Sequence, residues 1–517
     1  MTMETITQQN AGADKRGGAT RRDAAEAGCD FAPGLEAAVP ERFEECEGVL
    51  SASGGEVPDF VRGTYYLNGP ARFGRNGLAY RHWLDGDGLV CALRFDDEAI
   101  RLKTRYVRSR KFTEEENAGR PLFRAFGTAF DGDHLNRVGN GLESPVNVSV
   151  YPAGNSLLAF GEQGLPWELD PETLETRGQF TFNGRLNEAS PFSAHPKFDQ
   201  ATGEMFNFGV LFSEGTPRLY VYCFDGGGLR YRKSVPLDYP CSVHDFSLSK
   251  NHVVFYLSPY LLNIGGLLKE GRTVMESLNW EPERGSRLVI LARATGELVA
   301  SVPAGHRYCL HLIHSFEAND RLTVDVLEFD RPLYDQYQPV PGLFTDAPRG
   351  GPVRLVIDLA TRDLVERREL PYLQCPDFPA IDPAHAMRAT QEFWMLGISN
   401  TGKPGRKFFD QLAHGDWRRP VLEDIYQSPP MKYLGGEPVL VGNAASEAGE
   451  AVVVCQEFDA RERTSRFLLF DARRVANGPF CKINTLSGLY FGFHATFQKA
   501  GGRTGPAAGA ENRHTAA

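Results

Sequence analysis

The sequence predicts an all-β fold, either a β-propeller or a large β-sandwich, and two observations lead to this prediction. First, short β-branched and aromatic runs recur, and each is followed by a cluster of Asp, Thr or Gly typical of a hairpin turn. These clusters are 95–97, 169–173, 198–203, 224–226, 294–296, 357–361 and 470–472. Second, helical periodicity is sparse, and the short candidates 113–118 and 384–388 are predicted to be helices on loops.

The composition predicts one large folded body between two tails. Of the 517 residues, 42% are hydrophobic and 11% aromatic, which is typical of a globular protein. Residues 1–35 and 499–517 lack an apolar period, so we expect disordered tails on either side of a single domain over 36–498. The apolar stretch 253–268 is interrupted by polar residues and is shorter than the roughly 20 residues that cross a bilayer.

Charge and cysteine usage narrow the classes of function and location. The formal net charge is −10, which argues against nucleic acid as the main partner. The nine cysteines include no CxxC pair, as expected of a reduced, intracellular protein. Because the N-terminal residues also lack the apolar core of a secretion signal, we expect a cytoplasmic protein.

Four histidines in apolar or aromatic segments are the candidate functional residues. They are His195 in PFSAHPKFD, His244 in PCSVHDFSL, His311 in YCLHLIHSFE and His494 in LYFGFHATF. Buried imidazoles need polar partners. The innermost strands of different propeller blades can each direct one side chain to the central axis, so widely separated histidines can meet there.

Eight ordered blocks of the sequence resemble the carotenoid cleavage oxygenase family, which includes the retinoid isomerohydrolase and the lignostilbene dioxygenases. The blocks are LNGPARFG (67–74), HWLDGDGLV (82–90), LLAFGEQGLPWELDPETLET (157–176), SAHPKFDQATGEMFNFG (193–209), VHDFSLSKNHVVF (243–255), HLIHSFE (311–317), GEPVLV (436–441) and FGFHATF (491–497). The resemblance covers about residues 57–498. It implies a seven-bladed β-propeller with a cap of loops and short helices over an Fe(II) site on the axis.

The resemblance implies that His195, His244, His311 and His494 are the iron ligands. Four neutral imidazoles suit Fe(II) and leave coordination positions open for dioxygen and for water or substrate. His314, which lies in the same block as His311, is not assigned as a ligand. Strand residues an odd number apart face opposite sides, so we expect His311 alone to reach the metal.

The resemblance also implies three carboxylates that accept hydrogen bonds from the ligand rings. Glu162 and Glu437 match two glutamates of the family, whereas Asp377 stands where the third glutamate is usual. Because aspartate is one methylene shorter, we expect this contact to be longer, water-bridged or differently angled. The alternative for Asp377 is a carboxylate on a surface loop.

Two further segments have structural and functional interpretations. The DGDG sequence in block 82–90, with His82, Asp85 and Asp87, is predicted to be a tight hairpin turn rather than a catalytic group. Segment 260–268 offers a set of apolar side chains. The resemblance implies that these side chains form a membrane contact or a substrate entry. The alternative is that they are buried in the cap. The residues are Leu261, Leu262, Ile264, Leu267 and Leu268.

The function implied by the resemblance is Fe(II)-dependent cleavage of a conjugated C=C bond in a carotenoid or apocarotenoid. Dioxygen is the expected co-substrate, and two carbonyl compounds are the expected products. A lipophilic polyene is the expected partner, and contact with a membrane periphery is a further expectation. Two alternatives stay open: cleavage of a lignostilbene or another phenylpropenoid, and a propeller that binds a ligand without catalysis.

Overall fold

The computed structural model describes residues 30–138, 141–212, 215–226, 228–340, 342–446 and 449–502. Seven antiparallel sheets form the blades of a β-propeller, which confirms the predicted fold class. From the axis outwards, blade 1 consists of Ala495–Lys499, Gly63–Arg72, Asp87–Phe95, Ile100–Tyr106 and Glu47–Leu50. Because the C-terminal strand pairs with Gly63–Arg72 from near the N-terminus, the ring is closed by the two ends of the chain.

Blades 2 to 4 follow in chain order, each with its innermost strand first. Blade 2 is Ser149–Ala153, Ser156–Phe160, Trp167–Leu169 and Thr176–Gln179. Blade 3 is Lys197–Asp199, Glu204–Leu211, Arg218–Asp225 and Gly228–Pro236. Blade 4 is Ser247–Leu248, His252–Leu257, Ser286–Ala292 and Leu298–Gly305.

Blades 5 to 7 complete the ring in the same inside-to-outside order. Blade 5 is Tyr308–Ala318, Arg321–Phe329, Gly350–Asp358 and Asp363–Glu369. Blade 6 is Asp377–Ala380, Glu392–Gly397, Gln411–Asp416 and Asp424–Gln427. Blade 7 is Lys432–Gly442, Ala451–Asp459, Thr464–Asp471, Cys481–Asn484 and Ala52–Ser53.

Short elements outside the blades lie on the connecting loops. The α-helices are Arg110–Ala118 and Ile264–Lys269. The 3-10 helices are Leu35–Ala38, Trp83–Asp85, Met275–Ser277, Pro282–Arg284, Tyr334–Gln336, Pro383–His385 and Val475–Asn477. The small strand pairs are Gly74–Arg75 with Leu78–Ala79, Phe123–Arg124 with His134–Leu135, Arg137–Val138 with Gly141–Leu142, and Tyr260–Leu262 with Leu278–Trp280. Among the described residues, no helix has both the length and the apolar character needed to cross a bilayer.

The predicted turn clusters lie between neighbouring strands of the blades. Asp96, Asp170 and Asp358 show why, because each carboxylate accepts hydrogen bonds from two backbone amides of its own turn at 2.8–3.0 Å. An aspartate at the strand end thus satisfies the amides that the reversing chain exposes. The hairpin prediction and its physical reason are both confirmed.

The folded body begins before the predicted domain boundary at residue 36. Ala32 and Leu35 are buried, and the hydroxyl of Tyr433 in blade 7 donates to the carbonyl of Pro33 at 2.7 Å. Arg406 pairs with Asp30. Residues 30–35 therefore pack on the propeller, while the rest of the expected N-terminal tail and residues 503–517 of the expected C-terminal tail lie outside the described residues.

The DGDG segment is not the predicted hairpin turn. Asp85 ends a 3-10 helix and Asp87 begins a strand of blade 1, and both side chains are buried. Asp87 accepts from Arg75 Nη2 and Lys111 Nζ, each at 2.7 Å. The prediction of a tight turn in the DGDG segment is wrong because Asp87 is buried between Arg75 and Lys111. Breaking a buried ion pair of this kind is costly.

Asp85 should make the stability of the protein depend on pH. Burial raises the pKa of Asp85 to about 7, although the Gly127 amide donates to its carboxylate at 3.0 Å. In the unfolded chain an aspartate has a pKa of about 3.9, so folding takes up a proton between these values and stability falls as pH rises through that window. Asp85→Asn should escape this loss.

Urea unfolding of the two proteins from pH 4.5 to 8 measures the effect. We expect wild type to lose stability relative to Asp85→Asn by up to about 1.4 kcal/mol per pH unit below pH 7, with a plateau above it. Parallel pH profiles for the two proteins would show that Asp85 ionises normally in the folded state.

Candidate metal centre

Four histidine side chains meet at the propeller axis. His195 and His244 lie two and three residues before the innermost strands of blades 3 and 4. His311 lies in the innermost strand of blade 5, and His494 directly precedes the closing strand of blade 1. All four are buried, and one nitrogen of each lies within 4.8 Å of those of the others. The topology therefore gathers residues that are distant in the sequence, as the propeller prediction required.

The distances among the rings suit a metal ion. The Nε2 atom of His244 lies 2.9 Å from Nε2 of His195 and 3.1 Å from Nε2 of His311. Two nitrogens bound at right angles to an ion, each about 2.1 Å from it, are about 3 Å apart. The ring of His494 completes the group, with its centroid 4.4 Å from that of His195. The four nitrogens can thus share one ion.

Three carboxylates contact the outward-facing nitrogens of three of these rings. Nδ1 of His244 lies 2.8 Å from Glu162, and Nδ1 of His494 lies 3.2 Å from Glu437. Nδ1 of His311 lies 2.5 Å from Asp377. A carboxylate at Nδ1 fixes the ring orientation and the tautomer, so that Nε2 is left free to bind a metal.

Asp377 makes the shortest of the three contacts, so the expectation of a longer or water-bridged contact is wrong. The surface-loop alternative is also wrong, because Asp377 is 1% exposed. The backbone explains the reach of the shorter side chain. Phe378 has a φ of 51°, and the pairing of this strand with Glu392–Gly397 is irregular. The distorted strand end carries the carboxylate to His311.

The surroundings favour neutral rings at two of the positions. Burial, reinforced by the neighbouring ring of His244, lowers the pKa of His195 well below its usual value. Burial also lowers the pKa of His494, against the opposing effect of Glu437. At His311 the effect of burial is outweighed by Asp377, which raises the pKa. A metal binds only the neutral imidazole. His195 and His494 therefore already favour the form that binds a metal.

His314 lies outside this group. Its side chain is buried, but its Nε2 lies 2.7 Å from the carbonyl oxygen of Arg388, and its ring stacks on Phe316. The strand pairing is irregular between residues 309 and 314, so simple alternation does not describe the strand. His311 and His314 nevertheless point to different surroundings.

Two tyrosines that the sequence analysis missed also contact the site. The hydroxyl of Tyr334 lies 3.1 Å from Nδ1 of His244, and the hydroxyl of Tyr337 donates to Asp377 Oδ2 at 3.1 Å. Both belong to the turn around the 3-10 helix Tyr334–Gln336. Their spacing of three residues places both on one face of a 3-10 turn, which is the signal that could have identified them.

An apolar cavity of about 210 Å³ reaches His244, His311 and His494. Its wall includes the aromatic side chains of Phe126, Phe192, Phe208, Phe212, Phe378 and Phe493. A second cavity of about 310 Å³ follows the innermost strands and reaches His195, His311 and His494. The histidine group is therefore accessible from two cavities of different character.

Segment 260–268 does not form the expected exposed apolar patch. Leu261, Leu262 and Leu267 are buried, Ile264 is half-buried, and Leu268 is 44% exposed. The first two lie in a strand that pairs with Leu278–Trp280. Leu262 and Leu267 line the apolar cavity. The membrane-contact interpretation is wrong for the three buried leucines, and a role at the substrate entry stays a prediction.

Comparisons with known proteins agree with the geometry. The model of the family described as "Retinal pigment epithelial membrane protein" matches residues 39–499. An isoeugenol monooxygenase of Pseudomonas putida is 30% identical, over 86% of this chain and 93% of its own. The apocarotenoid-15,15'-oxygenase of a Synechocystis strain is 26% identical, over 81% of this chain and 87% of its own.

A solved structure of a mutant of the Synechocystis apocarotenoid oxygenase has the same fold. The TM-score is 0.81, with 21% identity, and the match covers 91% of this chain and 100% of that chain. The ordered sequence blocks, the seven blades and the family match over residues 39–499 lead to one assignment. The chain belongs to the retinal pigment epithelial membrane protein family, that is, the carotenoid cleavage oxygenase family which its sequence resembles.

Proposed function

We propose that this protein is a mononuclear non-haem Fe(II) oxygenase that cleaves a conjugated C=C bond with dioxygen and gives two carbonyl products. The observation that carries the proposal is the buried group of four imidazoles whose nitrogens converge within 4.8 Å. Imidazole suits iron, and four such ligands leave positions open for other molecules. The oxygenase names of the relatives support the same reaction class.

The part of the protein in this reaction is to hold the iron ion and to orient the histidine rings that bind it. His195, His244, His311 and His494 would hold the iron through Nε2, and the bound ion supplies the activation of dioxygen. Glu162, Asp377 and Glu437 keep three of the rings in the required tautomer and bring negative charge near the ion. Tyr337 in turn fixes Asp377 by donating a hydrogen bond to its second oxygen.

The apolar cavity would bind the alkene beside the histidine group. Its aromatic wall excludes water and restricts the orientation of a flat, conjugated molecule. Phe378 and Phe493 line the cavity next to the metal-facing residues His311 and His494. Which double bond is cleaved would depend on how far the substrate advances along this wall.

A carotenoid or apocarotenoid is the first candidate substrate. The apolar wall suits a long hydrocarbon chain, and a relative that is 26% identical is named an apocarotenoid oxygenase. A phenylpropenoid or stilbenoid is the second candidate. Polar residues such as Arg124, Asn136 and Glu143 also line the cavity and could face a phenolic end, and the Pseudomonas putida relative is named for isoeugenol.

A substrate panel tests the proposal. The protein is loaded anaerobically with Fe(II), mixed with an apocarotenal, isoeugenol or a hydroxystilbene, and exposed to ¹⁸O-labelled dioxygen before mass spectrometry of the aldehydes. We expect labelled carbonyl products from the apocarotenal. Cleavage of the aromatic alkenes alone would replace the first candidate by the second, and the absence of cleavage across the panel by iron-loaded protein would refute the oxygenase proposal.

A further inference from the structure

Asp245, which directly follows His244, connects three of the four segments that carry the histidines. Its side chain is buried, at 3% exposure. Its Oδ2 atom accepts from the backbone amide of Leu312 at 3.0 Å, next to His311. Its Oδ1 atom lies 2.8 Å from Nζ of Lys197, two residues after His195. One carboxylate thus links the inner strands of blades 3, 4 and 5.

His195 differs from the other three rings in its outer contact. Its Nδ1 lies 3.9 Å from Oδ1 of Asp245, beyond hydrogen-bond range. The other three rings meet a carboxylate at 3.2 Å or less. His195 therefore depends on the position of its own main chain, and that main chain is connected to Asp245 through Lys197.

The carboxylate of Asp245 is well suited to set distances. This buried carboxylate is held in one place by the Leu312 amide and by its ion pair with Lys197, because moving it would leave a buried charge unpaired. The two inner strands of blades 4 and 5 are joined again beside it, where the hydroxyls of Ser247 and Ser315 lie 2.8 Å apart. Small displacements of these strands would be transmitted to the ring nitrogens.

We propose that Asp245 is a positioning residue of the metal site, which sets the mutual distances of His195, His244 and His311 by joining their three segments. This inference rests on the proposed iron site, and it assigns Lys197 as the partner through which His195 is held. Neither residue touches the metal. Their contribution is made through the backbone and therefore appears in metal affinity and coordination geometry.

The test uses metal-free full-length protein titrated anaerobically with Fe(II), and with Co(II) as a spectroscopic probe. Asp245→Asn keeps an acceptor for Leu312 but presents an amide in place of one carboxylate oxygen, so its contact with Lys197 is weakened. We expect Fe(II) affinity to fall about 10-fold or more, since outer residues of metal sites typically change affinity about 10–100-fold. We also expect an altered visible spectrum of the Co(II) protein, which a merely structural role would leave unchanged.

Glu317→Gln is the matched control. Glu317 also joins blades 4 and 5, through Ser249 and through His252 Nδ1 at 2.9 Å, but it contacts none of the four metal-facing histidines. We expect wild-type affinity and spectrum for this variant. Lys197→Met should also weaken Fe(II) binding. The effects of Lys197→Met and Asp245→Asn should not add, because both act on the same contact, the one between Lys197 and Asp245.

Four outcomes decide between the explanations. Weaker Fe(II) binding and an altered Co(II) spectrum in Asp245→Asn, with the control unchanged, support the inference. Wild-type binding and spectrum in Asp245→Asn overturn it, as does an Asp245→Asn protein that fails to fold together with an unaffected Lys197→Met. A wild-type protein that binds neither ion contradicts the proposed function itself, and the positioning role then falls with it.

Discussion

His311→Ala is expected to abolish both stoichiometric iron binding and turnover, whereas His314→Ala should retain about one iron ion per chain. His311 brings its Nε2 to 3.1 Å from that of His244 and is backed by Asp377. His314 instead contacts the carbonyl of Arg388. Removing the His311 ring takes one ligand from the group of four. Removing the His314 ring leaves all four ligands in place.

Metal analysis of the two variants after anaerobic reconstitution measures this difference, and thermal unfolding of the metal-free proteins controls for misfolding. The two histidines share a strand and are both buried, so each variant is the control for the other. An iron-free His314→Ala beside an iron-loaded His311→Ala would mean that the wrong histidine of this block has been assigned.

Asp377→Asn is expected to lower Fe(II) affinity about 10–100-fold and to lower turnover with it. The carboxylate lies 2.5 Å from Nδ1 of His311, and it also accepts from the Phe378 amide at 2.9 Å and from the Tyr337 hydroxyl at 3.1 Å. An amide can keep these hydrogen bonds in part, but it brings no negative charge to the site. The expected loss of Fe(II) affinity therefore measures how much the negative charge of Asp377 contributes to metal binding.

Tyr337→Phe is the matched control, because it removes one hydrogen bond to Asp377 and keeps the carboxylate. We expect a smaller loss of Fe(II) affinity, about 5-fold, since one hydrogen bond contributes about 1 kcal/mol net. Fe(II) titrations of the metal-free variants give both values. Equal affinities for Asp377→Asn and wild type would show that the charge of this carboxylate does not support the site.

Much of the fold could be predicted from the sequence because its signals are local. Asp96, Asp170 and Asp358 end strands and satisfy the amides of their own turns, so each hairpin is determined within a few residues. The four histidines could be identified from their apolar segments and from the family blocks, and the propeller topology explains how they meet.

The features that could not be predicted depend on contacts between distant parts of the chain. The DGDG sequence by itself predicts a turn. Only the structure shows that Arg75 and Lys111 contact Asp87 in the interior. The reach of Asp377 depends on a distorted strand end, which is visible only in the backbone at Phe378. Leu267 is buried and lines the apolar cavity, but the sequence shows only an apolar residue and not the side on which it packs.

The most direct test of the central claim is a crystal structure of the anaerobically iron-loaded protein, with anomalous diffraction measured at the iron edge. The account predicts one anomalous peak on the propeller axis, about 2.1 Å from Nε2 of each of the four histidines. The four residues are His195, His244, His311 and His494. A peak bound by other side chains, or these four rings turned away from the iron, would contradict it.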